Sequence, residues 1–398
     1  MPKVNPHILK WARETAGLTQ EEATSKLAIK DTPKLSAIER LTALEKGVSE
    51  PTRSILSRMA KKYHRPLLTF YMQDPPRKGD RGQDFRTLPE EIDIQENALV
   101  DVLIRDIKSR QAIVRAALQD EEEIEPLRFI GSITLGTEKN EVVEKIVGII
   151  KFDINQFRRK SPTILAFEYL RACVEDAGVF VLLRGNLGSY HTNIDPEVFR
   201  GFALADTIAP FIVINEHDSK SAWSFTLLHE FVHLMLGLTG ISSVVSDRRV
   251  EKFCNEVSSA ILMPSDELKV IDLNNGMSFD EIKSTISKFA QRRNISATMV
   301  AYNLWRQGRL GRTLWNKLRV AFKQDFDKSK LKAREKARSK EGGPDYIIVR
   351  RQRLGNALID FVFHTLSEGS MTTVKAARVL GVNPRLVGDV IRPKNLNR

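Results

Sequence analysis

The run His229-Glu230-Phe231-Val232-His233 sets two imidazoles four residues apart with a carboxylate between them. On an α-helix such residues lie about 40° apart around the axis, so both rings can reach one ion from the same face. Zinc held there would polarise a peptide carbonyl and lower the pKa of an attacking water to roughly 7. The intervening Glu230 is placed to contact that water rather than the metal, as the base that takes its proton. The competing reading is a chance match on an amphipathic helix, with both histidines hydrogen-bonded in the core. Residues Leu227 to Leu236 are strongly apolar around the motif, and burying three uncompensated polar groups there would cost several kcal/mol. A bound ion removes that conflict.

A catalytic zinc site takes three protein ligands and leaves a fourth position open. A third histidine at metzincin spacing is absent, because positions 236 and 239 hold Leu236 and Thr239. The alternative is a carboxylate on a second helix, and Glu251 opens a helical run that Pro264 ends. Glu251 is the preferred third ligand, with Asp247 and Glu256 as competitors that spacing does not separate. His217 could approach the pocket but reads as an ordinary loop histidine.

These side chains need a scaffold. Gly178 to Leu183 and Ala209 to Asn215 are rich in β-branched and aromatic residues and bounded by turn formers, which predicts two strands. The polar turn Glu216 to Lys220 then leads into the helix that carries the histidines. That order predicts that Phe211 to Asn215 lies beside the cleft with an edge free to pair an extended substrate. Proline at Val213 would then weaken cleavage. Apolar residues recur at helical spacing over 97–119 and 140–152. Near the N-terminus a helix over Ile8 to Thr15 breaks at Gly17, and a second begins at Thr19, where Thr19 and Glu22 form a capping box.

Hydrophobic and charged fractions of 42% and 28% argue against both wholesale disorder and a membrane protein. No apolar run is long enough to span a bilayer, and no secretory signal opens the chain, so the expected location is the cytoplasm. Cys173 and Cys254 are expected to be unpaired, small buried hydrophobes. A net charge of +12 makes a polyanionic partner reasonable without establishing one. Composition shifts divide the chain into a helical domain over 1–75, a linker over 76–96, the site-bearing domain over 97–320, a charged helix and hinge over 321–345, and a helical module over 346–398.

The motif His229 to His233, with Glu251-Lys252-Phe253-Cys254-Asn255 and Ile261-Leu262-Met263-Pro264, resembles the ImmA/IrrE family of zinc metallopeptidases. The likeness extends to Gln83 to Thr87, Phe199 to Asp206, the strand ending Ile214-Asn215, and Gly342 to Tyr346. Val232 departs from the glycine that many members carry before the second histidine. The resemblance implies an α+β, predominantly helical chain with a zincin-like peptidase domain and a small sheet, flanked by helical helix-turn-helix-like modules. It implies zinc on His229, His233 and Glu251, Glu230 as base, and a protein substrate such as a transcriptional repressor or antitoxin-like regulator cleaved in a stress or mobile-element response.

Leu9 to Ala23 and Leu44 to Thr52 resemble the opening and close of a Cro/repressor-type helix-turn-helix domain, with Lys30 to Leu35 inserted between them. That implies DNA as a partner of the N-terminal domain; a homodimer is a further expectation for the chain, and no membrane partner is expected. Thr373 to Val387 also has helix-turn-helix spacing, which suits either a second contact module or a small bundle packed on the peptidase. The rival for the whole chain is a DNA-binding regulator or scaffold whose zinc site is structural or idle. Glu230 favours the enzyme, because an idle site has no need of a base.

Overall fold

The computed structural model describes residues 3–76, 94–120, 124–241, 248–273, 276–338 and 345–392. The segment Gln83 to Thr87, most of the expected linker, Asp247 and the junction Gly342-Gly343-Pro344 lie outside the described residues. The described residues divide into two compact units, the first made of those up to 76 with 94–107 and 186–198, the second of those in 108–185 and 199–392. No helix among the described residues is long and apolar enough to cross a membrane.

The first unit holds α1 (Pro6–Thr15), α2 (Gln20–Leu27), α3 (Ala37–Glu45) and α4 (Arg53–Lys62). Gly17 ends α1 with a positive φ of 69°, where a side chain would be strained. The Thr19–Glu22 capping box starts α2 as expected, and a second box, Ser36–Glu39, starts α3. Ile8, Leu9, Ala23, Leu41 and Leu56 meet in one apolar core. Arg13 crosses it to Glu45 with paired bonds of 2.6 and 3.0 Å, a buried fork that ties α1 to α3. Between α2 and α3 run residues 28–36, much longer than the turn of about 3–4 residues in a standard helix-turn-helix. The insertion read at Lys30 to Leu35 therefore lies in that connection.

Helix α5 (Ile94–Gln119) gives its first half to this unit and its second half to the other. The second unit continues with α6 (Lys139–Ile149), α7 (Ile154–Arg159), α8 (Thr163–Asp176), β1 (Phe180–Leu183), β2 (Gly201–Leu204) and β3 (Phe211–Ile214). Then come α9 (Lys220–Met235), β4 (Gly240–Ile241), α10 (Arg248–Leu262), α11 (Phe279–Arg292), α12 (Ala297–Arg306) and α13 (Arg312–Arg338). The chain closes with α14 (Tyr346–Leu354), α15 (Asn356–Ser367), α16 (Thr373–Leu380) and α17 (Val387–Ile391). The fold is thus α+β and predominantly helical around one small sheet.

The sheet order is β1-β3-β2-β4, with β1 parallel to β3 and β2 antiparallel to both of its neighbours. This corrects the expectation that Phe211 to Asn215 offers a free edge. Val213 pairs with Leu182 on one side and Phe202 on the other, so β3 is an inner strand. The apolar residue at each of its four positions is the pattern of a strand covered on both faces. Proline there would break the sheet rather than report on substrate.

The boundary expected at 320/321 falls inside α13, because Leu314, Trp315, Leu318 and Phe322 anchor that helix on the core before its charged run begins. The C-terminal helices pack within the second unit. Phe361 of α15 meets Phe180 of β1 edge-on at 5.9 Å. Arg110 and Arg350 donate to the carbonyls of Val379 and Leu380 at 3.1 and 3.0 Å. Two cations thus cap the carbonyl end of α16.

Candidate metal centre

Helix α9 begins just past the β3 turn, where the buried Asn215 accepts from the His217 amide at 3.0 Å and donates to the Phe199 carbonyl at 3.0 Å. Every residue from Thr226 to Met235 is buried, so the two histidines project from the wholly buried second half of the helix. Helix α10 packs along it. Val250, Cys254, Val257 and Ile261 recur at three- and four-residue steps and turn into the core. Glu251, next to Val250, is thereby carried to the histidines.

The three side chains converge. Nε2 of His229 lies 3.1 Å from Nε2 of His233 and 3.2 Å from Oε2 of Glu251, and His233 Nε2 lies 3.3 Å from Glu251 Oε1. Donors at the corners of a tetrahedron with metal bonds of about 2.0–2.1 Å would stand about 3.3 Å apart. The nitrogen pair and each nitrogen's nearer carboxylate oxygen lie close to that spacing, and with two imidazoles and one carboxylate these residues could hold a metal ion. His229 Nδ1 is buried with no hydrogen bond to a described residue.

Electrostatics favour the same set. Burial disfavours the charged Glu251 carboxylate, yet hydrogen bonds and charge from His229 and His233 outweigh it and hold this carboxyl well below the ordinary range. Burial likewise opposes a charged His229, but Glu251, Glu230 and the Asn255 side chain prevail and raise its pKa. The Cys254 thiol is driven up by burial and by Glu251 and Glu230, so it stays neutral. Both cysteines are free; Cys254 is buried as expected, whereas Cys173 is only half-buried, a correction to the expectation for it.

Glu230 is buried beside this cluster but is not part of it. Gly201, the first residue of β2, faces it so closely that a Cβ there would stand 2.9 Å from Glu230 Oε1 and 2.7 Å from Thr226 Cγ2. Sequence reasoning did not assign Gly201 a role. The available signal was a glycine within a strand pattern, which marks a close backbone approach.

Of the competing third ligands, Glu256 pairs with Arg306 at 2.8 Å on the outer side of α10, and Asp247 lies outside the described residues. His217 does not join the cluster; its ring lies against Gly185. No curated protein and no solved structure matches the chain. Residues 183–304, from the last residue of β1 through most of α12, match the family described as the IrrE N-terminal-like domain, a peptidase family. This segment, with all four residues of the site, is therefore similar to metallopeptidases of the IrrE type.

Proposed function

We propose that the chain is a zinc-dependent endopeptidase in which His229, His233 and Glu251 hold the ion and Glu230 is the general base. The supporting observation is the convergence of two imidazole nitrogens 3.1 Å apart on the two oxygens of one carboxylate, at 3.2 and 3.3 Å, beside a separate buried carboxylate. Zinc bound there supplies Lewis acidity to the scissile carbonyl and lowers the pKa of water. Glu230 accepts the proton of the attacking water and hands it to the departing amine. Its walls of helix and strand keep the carboxylate out of bulk water, where the transfer is directed rather than exchanged with solvent. The substrate class is a protein partner, a repressor or antitoxin-like regulator, cleaved in a flexible segment whose backbone groups are free to engage a cleft. Support for that class is the resemblance to ImmA/IrrE peptidases together with the family match.

The same reading makes the first unit a helix-turn-helix module that contacts DNA, as a homodimer on paired half-sites. The α1–α3 fork through Arg13 and Glu45 suits such a packed module. The long α2–α3 connection weighs against standard groove reading, and the exposed residue on α3 is Glu39. Purified chain should be incubated with candidate repressors, with and without chelator, beside Glu230→Gln. Chelator-sensitive cleavage absent from Glu230→Gln is expected. Full metal content with no cleavage of any candidate would favour the scaffold.

A further inference from the structure

Helix α13 carries ten Lys and Arg against three Asp and Glu over its 27 residues, a net +7 of the chain's +12. Its first half is held by Leu318 in the core and by the Lys283–Asp325 ion pair at 2.7 Å. Beyond it, no described side chain from Asp327 to Lys336 is buried. That second half continues as regular helix for about another 18 Å at 1.5 Å per residue.

The charge pattern there works against the helix. Lys328, Lys332 and Lys336 follow one another at four-residue steps along one stripe. Like charges at this spacing destabilise a helix, whereas alternating Glu and Lys would have stabilised it. Within this stretch Asp327 and Glu335 are the only opposing charges. A polyanion laid along the helix would remove the repulsion.

We propose that α13 is a phosphate-binding element that holds duplex DNA without reading its sequence. A membrane-surface helix needs an apolar face, and this stretch offers only Leu331 with scattered alanines. A protein interface is centred on buried aromatic or aliphatic anchors, which the exposed half also lacks. Cations repeated along an exposed helix suit the regularly repeated charge of a duplex backbone. The proposal is independent of the peptidase reading and puts the main DNA contact in the second unit, since α3 presents Glu39 outward.

The test uses the full chain and the triple variant Lys328→Gln, Lys330→Gln, Lys332→Gln, in which glutamine preserves helix propensity. Binding of a labelled random-sequence duplex is titrated between about 50 and 200 mM salt. The expected result is that wild type binds and that the variant binds at least about tenfold more weakly at the lower salt. The log–log salt slope should fall by about 2–3, near 0.9 for each contact removed. Metal content and helicity should match wild type. Wild-type failure to bind, an unchanged affinity and slope in the variant, or tighter binding to vesicles of anionic lipid than to the duplex would each overturn the proposal.

Discussion

The α9–α10 centre and the outer half of α13 use charge in opposite ways. The centre buries Glu230, His229 and His233 among apolar side chains, and both imidazoles depend on one particular partner, Glu251, at hydrogen-bond range. Helix α13 spreads many cations into water, where each is screened beyond a Debye length of about 8–10 Å and contributes through a summed field. Few buried charges make function all-or-none at single residues. Many exposed charges make it graded, and the substitutions below should separate the two regimes.

The largest effect is expected from Glu230→Gln. Zinc content should stay at wild type while cleavage falls about 10²–10⁴-fold, because the amide cannot accept the water's proton. An undiminished rate would remove Glu230 from the mechanism. Next comes Glu251→Ala, which should lose most of its zinc by elemental analysis. Full occupancy would send the search for the third ligand to Asp247, since Glu256 is engaged by Arg306.

Gly201→Ala should act on the base without removing a ligand. The added Cβ would fall under 3.0 Å from both Glu230 and Thr226, and displacing a catalytic group by about 1 Å can cost about 10²-fold in rate. Metal content should persist while kcat falls by about 10–10²-fold, and a wild-type kcat would show that β2 yields without moving Glu230.

Zinc affinity should also depend on pH. Protons compete with the ion for His229, whose pKa is raised, so affinity should be greatest above that pKa and decline as pH falls. Because the shift is upward, the decline should begin above the ordinary histidine range of about 6.5. Glu251, held low, should remain ionised across that window. Zinc titrations over about pH 5 to 8 would test this, and a midpoint below the ordinary range would contradict it. The smallest effect belongs to Lys328→Gln alone, which should lower the salt slope for DNA by about 0.9 and weaken binding only a few-fold. A loss as complete as the triple variant's would move α13 into the all-or-none regime.

Short-range features were legible in the residue order alone. The one-turn spacing of His229 and His233, the Thr19–Glu22 cap and the Gly17 break all depend on backbone geometry within a few residues. Helix α10 was also visible from its periodicity and Pro264, yet which acid on it meets the histidines depended on how α10 packs along α9. The place of β3 was misjudged because a strand's neighbours are set by long-range pairing, and an apolar run shows covered faces without showing which edges are filled. Gly201 stands 29 positions before Glu230 in the chain, and only the approach of β2 to α9 makes its missing side chain matter. Local periodicity thus determined which residues could share a face, while tertiary packing decided which faces meet, because contacts between distant segments depend on how the whole core closes.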